Sequence, residues 1–338
     1  MALWTDIILP ATLTGYVRES LAAIEARKGS LATYLPNRTV PDINVRFLRG
    51  SSGLVDEAQF RAYDAPPVTG KGRTGQRVTL ELPAIGQNIP VSEYAQLRQR
   101  NASDQVLLTQ ILATADQVVR AVADRIERLR GIVLTTGKAT IPELATDDDF
   151  GRSGTHTVTA ASLWATSSID RLADLQTWAD VYEATNGVRP ESIVTSRRVL
   201  RALASGDQFK LSLVGGASRP ATIADVNAIV EGAGLPPISV FERRTSFGRI
   251  LPDNKLLMLP APVASDDWQG TQLGATFWGQ TLTSTDALYG IEDPEQPGIV
   301  AGVYRDEKPP MIAEIISDAI GMPVLANADL SLAATVLS

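Results

Sequence analysis

From Asn101 onward, apolar side chains recur at Leu108, Ile111, Leu112, Ala115, Val118, Val119, Val122, Ile126, Leu129 and Val133, the spacing of one face of an α-helix. Asn101-Ala-Ser-Asp104 supplies capping residues at the start, and Gly137 followed by Lys138 marks the stop. The helix therefore runs about 34 residues and spans about 50 Å, well beyond the ordinary globular length. Asp116 and Arg120, and Asp124 and Arg128, stand four apart with the acid first, and are expected as exposed pairs on the opposite face. Gly131 weakens the helix without ending it. A rod of this length with a continuous apolar stripe needs the rest of the chain to be built along it.

The segments before it are too sparse to do this alone. Residues 1–40 read as an arm carrying a short amphipathic helix, Gly15 to Arg27, with Val17, Leu21, Ala23 and Ile24 inward. From Pro41 the period changes to two: Ile43, Val45 and Phe47 alternate in one run, Val78, Leu80 and Leu82 in another. Between them lie Gly50-Ser-Ser-Gly53 and Ala65-Pro-Pro-Val-Thr-Gly-Lys-Gly-Arg-Thr-Gly75, dense in turn formers and poor in large apolar residues. This pattern describes a hairpin that projects from the body and finds its packing partners elsewhere.

After the long helix, Ala139–Ile141 reads as a strand and Thr146–Gly154 as a polar loop. An alternating section follows: helices at Ser168–Ala184, Arg197–Ala204 and Thr222–Glu231, and strands at Ser192–Thr195, Ile238–Phe241 and Lys255–Leu259. The segment from Gly298 to the end is strand-rich, with Ile312–Ile316 and Met322–Leu325 as separate runs.

The chemistry a chain of 338 residues could carry is limited by composition. There is no cysteine, which removes disulfides, thiolate metal sites and cysteine nucleophiles. A net charge of −7 provides no overall field toward nucleic acid or anionic lipid. No basic region precedes the apolar stretch of the N-terminus, which Asp6 and Pro10 interrupt, so no signal peptide is expected. No run reaches the roughly 18 apolar residues of a membrane span, and a soluble chain made inside the cell is the expectation.

Gly70-Lys71-Gly72-Arg73-Thr74-Gly75 satisfies the GxGxxG pattern of dinucleotide loops. Its glycines precede a strand and not a helix, so a phosphate there would meet no helix dipole. Gly131 with Gly137-Lys138 has one residue too many for a phosphate-binding Walker loop, and Ala139 replaces the Ser or Thr that holds magnesium; this is a helix end. His156, the single histidine, is flanked by threonines and is expected on an exposed segment entering a strand. Asp147, Asp148 and Asp149 match no calcium-loop spacing. Trp4, Trp164, Trp178, Trp268 and Trp278 are scattered, as core or interface anchors are. No acid, base and nucleophile assemble, and no catalytic residue, cofactor or metal site is assigned.

The order of elements (arm, projecting hairpin, long helix ending Leu134-Thr-Thr-Gly-Lys138, α/β section with Leu251-Pro-Asp-Asn-Lys-Leu-Leu-Met-Leu259, strand-rich return) resembles the major capsid protein E family of lambda-like tailed phages. Leu82-Pro-Ala-Ile-Gly-Gln-Asn-Ile-Pro-Val-Ser-Glu-Tyr94 and Ala123-Asp-Arg-Ile-Glu-Arg128 are further family-like stretches, similar to versions from phages of actinobacteria. The resemblance implies an α+β fold of the Hong Kong 97 type. It implies residues 1–40 as N-terminal arm, 41–92 as extended loop, 93–158 with 300–338 as peripheral domain and 159–299 as axial domain. It also implies a structural role without catalysis: hexamers and pentamers forming an icosahedral head around double-stranded DNA held without sequence-specific contacts, assembled in the host cytoplasm.

Gly70, Lys71, Gly72, Arg73 and Gly75 then become the tip of the extended loop, an inter-subunit contact. Some family members crosslink subunits through a lysine in this loop. Lys71 sits where such a residue stands, but its partner asparagine and acid have no assignable position, so no crosslink is expected. A separate scaffolding protein, a portal and a decoration protein are the implied partners, and no membrane is involved. The competing readings are an encapsulin-like nanocompartment shell, and a cytosolic enzyme using nucleotide at the Gly70 loop.

Overall fold

The computed structural model describes residues 2–26, 29–49, 76–98, 103–211, 221–292 and 295–338. The chain enters through strand β1 (Ala2–Leu3) and helix α1 (Pro10–Glu25). The helix begins five residues before the expected Gly15, because Pro10 at the first position lacks an N–H that would have no helical partner there anyway. Leu13, Val17 and Leu21 go inward, whereas Ala23 faces solvent and Ile24 is half-buried. Strand β2 (Asn37–Thr39) leads to the hairpin stem, β3 (Asn44–Arg49) and β4 (Gln76–Glu81), antiparallel from Asn44 opposite Glu81 to Arg49 opposite Gln76. Then follow β5 (Ala84–Val91), the short α2 (Glu93–Arg98) and the spine, α3 (Asp104–Thr136).

The 33 residues of α3 end as the sequence requires. Gly137 adopts φ +74° and donates its N–H to Val133 O, the left-handed cap that glycine allows. Arg152, from the next loop, donates to Leu134 O at 2.7 Å and Thr135 O at 2.8 Å, placing a cation on the negative end of the helix. Burial pulls Arg152 down to about 10, so it stays charged at neutral pH. Gly131 proves to be a point of close approach: a Cβ there would stand 2.6 Å from Ile250 Cγ2 and 2.7 Å from Ile250 O. By length and composition α3 could cross a bilayer, but its apolar face is covered by α1, β5 and β16.

Beyond α3, β6 (Lys138–Ile141) pairs with β7 (Thr146–Asp149), so the acid run expected in a loop forms half of a hairpin. Lys138 Nζ stands 3.6 Å from Asp147 and 3.5 Å from Asp149, a cross-strand charge match that makes the strand tolerable. The α/β section comprises β8 (Thr157–Thr159), α4 (Arg171–Asn186), β9 (Ser192–Thr195), α5 (Arg197–Ala204), α6 (Asp207–Leu211), α7 (Ile223–Gly232), β10 (Ile238–Val240), the hairpin β11 (Arg244–Thr245) and β12 (Gly248–Arg249), and β13 (Lys255–Leu259). Its helix starts carry side-chain caps: Asp170 for α4, Ser196 for α5, and a Thr222–Asp225 capping box for α7. The chain closes with β14 (Gly274–Gly279), α8 (Leu282–Thr285), β15 (Val300–Arg305), β16 (Ala313–Leu325) and β17 (Leu332–Thr335).

The two runs expected near the C-terminus are one strand of 13 residues, β16. Proline at 323 is harmless there. Even-numbered residues of this half of β16 face β14 in the ladder, while Pro323 faces the side where β5 has already ended, so its missing N–H removes no ladder bond.

Two sheets result. In the first, β1-β15-β16-β14-β2 run in order and β5 lies on the other flank of β16; the second runs β10-β9-β13-β17-β8. Helix α1 and the first two-thirds of α3 seal the first sheet through Leu13, Val17, Ile111, Val119, Val122 and Ile126. The last third of α3 enters the larger core with Leu129, Val133 and Leu134. The spine thus joins both cores.

Candidate functional site

The hairpin stem grows out of this junction. Val45, Leu80 and Leu82 are buried in the same core as Leu129, Val133 and Phe277, and Leu82 N–H donates to Ile43 O at 2.8 Å. Gly279 of β14 leaves the space: a Cβ there would lie 3.3 Å from Leu82 Cδ1 and 3.3 Å from Asp42 O. A two-stranded hairpin is marginal by itself, so burying its root in the subunit core is what aims it. The expected tip contacts, Gly70, Lys71, Gly72, Arg73 and Gly75, lie outside the described residues.

Strand β14, which packs on the root at Gly279, also joins a buried ionic junction that helical periodicity does not reveal. Arg130 of α3, only 1% exposed, reaches Glu25 at the end of α1 (2.8 Å) and Glu127 one turn back (3.1 Å). Its other nitrogens donate to Asn37 Oδ1 of β2 and Thr276 Oγ1 of β14, each at 2.8 Å. Glu127 in turn accepts from Leu31 N–H at 2.6 Å and from Ser30 Oγ at 3.2 Å. Asn37 Nδ2 donates to Glu25, and Trp278 Nε1 donates to Asn37 Oδ1 at 2.9 Å. Burial alone would push the Arg130 guanidinium down, but the two carboxylates outweigh it and hold it above its ordinary value. Four elements are tied at one point: the N-terminal helix, the spine and two strands of the first sheet. The signal was present in the sequence, since Glu127 and Arg130 fall among Ile126, Leu129 and Val133 on the apolar stripe, where an unpaired charge could not stay.

The exposed ladder expected along α3 is absent. Asp116 accepts instead from Tyr16 Oη at 3.0 Å and Ser20 Oγ at 2.9 Å, and Asp124 pairs with Arg243 at 2.8 Å. Arg128 lies over the Phe247 ring at 4.7 Å. Tertiary partners replace the helical ones and fasten α1 and the β11–β12 region to the spine.

His156 is not exposed: it is fully buried on a single 3-10 turn, with Nε2 3.0 Å from Thr185 Oγ1 and its ring 6.0 Å from Tyr182. Burial holds it below its ordinary value, neutral and structural. Trp164 and Trp178 stack at 6.1 Å in the larger core. Among the described residues no cluster of His, Asp or Glu is arranged to hold a metal ion.

A protein of the Escherichia coli CFT073 prophage assigned as a capsid protein superposes with a TM-score of 0.64 at 15% identity, over 99% of both chains. A phage-related protein from Bordetella bronchiseptica RB50 gives 0.61 at 15% identity over 96% of both. The capsid of a native GTA particle gives 0.52 at 11% identity, over 92% of this chain and 91% of that one. No curated protein sequence matches the chain significantly. The fold is that of Hong Kong 97-type capsid subunits. A family model described as phage major capsid protein E matches residues 20–267, and the chain belongs to that family.

Proposed function

We propose that this chain is the shell subunit of a lambda-like phage head, of the actinobacteriophage type, and that it assembles as hexamers and pentamers into an icosahedral capsid around double-stranded DNA. The observation that carries the reading is a hairpin stem whose root is buried in the subunit core, in a chain of the capsid protein E family. The extended loop of residues 41–92 fastens one subunit to the next, with Gly70, Lys71, Gly72, Arg73 and Gly75 at the contact and no crosslink through Lys71. Residues 93–158 and 300–338 form the peripheral domain and 159–299 the axial domain, with β17 crossing over to pair beside β13. The role is structural and not catalytic, in the virion, after assembly in the host cytoplasm. A separate scaffold, a portal and a decoration protein are the partners. The net charge of −7 suits packaged DNA that slides freely along the wall.

The test replaces residues 50–75 with a short Gly-Ser linker. The expected product is a folded subunit that no longer forms closed shells. Shells formed as readily as by the parent chain would refute the fastening role.

A further inference from the structure

Among the described residues, the outer edge of β5 is paired with no other strand. Its inner edge pairs with β16 in eight consecutive register positions, from Ala84 opposite Ile320 to Val91 opposite Ala313, without a bulge. Gly321 N–H donates to Pro83 O at 3.1 Å, and strand alternation from that bond turns the backbone groups of Ala84, Gly86, Asn88 and Pro90 away from β16. Their N–H and C=O groups meet no strand among the described residues. Proteins ordinarily blunt such an edge with charge, bulges or brevity. Here Ala-Ile-Gly-Gln-Asn-Ile-Pro-Val carries no charge at all. The one proline sits at an outward position, where it costs no internal bond.

We propose that β5 is a homotypic docking edge: two copies of the chain pair their β5 strands antiparallel about a two-fold axis through Gln87. The outward groups are self-complementary in that register. Gly86 and Asn88 exchange both hydrogen bonds with Asn88 and Gly86 of the second copy, and Ala84 N–H reaches the carbonyl of Pro90. All three outward donors of each strand are satisfied, and the donor Pro90 lacks is needed only opposite the exposed Ala84 carbonyl. Length favours a second β5 as the occupant. The other edge strands of the two main sheets are of two or three residues, β1, β2, β8 and β10, and the six-residue hairpin strands fall short of eight. Absence of charge means that self-apposition brings no like charges together. Beside the strand a groove of about 580 Å³, walled by Ile85 and Gln87 on one side and by Arg125, Arg128 and Phe247 on the other, leaves room for side chains of an added strand. The contact is isologous, of the kind that joins one ring of subunits to the next; it rests on the shell reading only in taking a second copy as partner.

The chain has no cysteine, so Gln87→Cys introduces a single thiol. In the proposed register residue 87 is a non-hydrogen-bonded pair with its own symmetry mate, with Cα atoms about 4.5 Å apart, within disulfide reach. Oxidation of assembled Q87C particles should convert most of the chain to a dimer band on a non-reducing gel, with no higher species. Val188→Cys, 55% exposed elsewhere, should remain monomeric. Asn88→Pro removes an outward N–H with no acceptor among the described residues; it should leave thermal unfolding of the subunit unchanged and lower the yield of the Q87C dimer about fivefold or more, since it deletes two of six intermolecular bonds. Particles that form without the dimer band, dimerisation of V188C to the same extent, or indifference of the dimer yield to Asn88→Pro would each overturn the edge pairing while leaving the shell role standing. Failure to form particles at all would strike the shell role instead.

Discussion

Arg130 and Glu25 lie 105 residues apart in sequence and 2.8 Å apart in space, at 1% and 4% side-chain exposure. Through this pair the last residue of the N-terminal helix is anchored to the spine. With the bonds of Arg130 to Asn37 and Thr276, the contact fixes the arm, the spine and two strands of the first sheet in one arrangement.

Arg130→Met should destabilise the subunit by about 3–5 kcal/mol, since it strands the buried Glu25 and Glu127 without their counter-charge. Combining it with Glu25→Gln and Glu127→Gln should recover most of the loss, because the remaining groups are then neutral and of similar shape. Urea unfolding of the single and triple variants checks both; a triple variant no more stable than Arg130→Met would mean that packing, and not charge, holds the junction.

Two glycines in helices should respond with opposite sign. Gly131→Ala places a Cβ against Ile250 and should cost about 1–3 kcal/mol, because the spine must back away from the larger core. Gly15→Ala on α1, where a Cβ meets nothing within 4 Å, should gain up to about 1 kcal/mol from helix propensity. Thermal unfolding of the two variants, measured side by side, decides it.

The single buried histidine gives a pH signature. His156 is held below its ordinary value of 6.5 by burial, so the unfolded chain binds the proton more readily than the folded one. Stability therefore rises with pH through the window between the depressed value and 6.5, and is lost as pH falls through it. The melting temperature of the parent should drop between pH 6.5 and 5, and His156→Gln should flatten that drop. An unchanged slope in the variant would locate the acid sensitivity in the carboxylates.

The spine was legible because its signal is redundant: the stripe from Ile111 to Val133 and the Gly137 stop both mark the same helix, and tertiary contacts reinforce what the period dictates. The ends and partners were not. Pro10 starts α1 for a reason local to the first turn, which the apolar spacing from Val17 onward does not report. Asp116 and Asp124 have helical partners at the right spacing, yet tertiary donors at Tyr16, Ser20 and Arg243 take them, and nothing in a single helix's pattern reveals an element packed against it. The Asp147–Asp149 strand exists because Lys138 faces it across the hairpin, and β16 passes through Pro323 because β5 has ended there. Both are long-range facts. The Arg130 junction stood between the two cases: charges on the apolar stripe announce a buried partner, but the partner, Glu25, lies on another helix. The tip residues from Gly70 to Gly75 remain a reading of sequence alone.

The most direct test of the shell role is electron microscopy of the purified full chain, with sedimentation run on the same sample. Closed shells, or rings of five and six subunits, should sediment far ahead of a single chain. A monodisperse 36.1 kDa monomer at every concentration, whose melting temperature rises with added nucleotide and loses that rise in Gly72→Leu, would contradict the shell role.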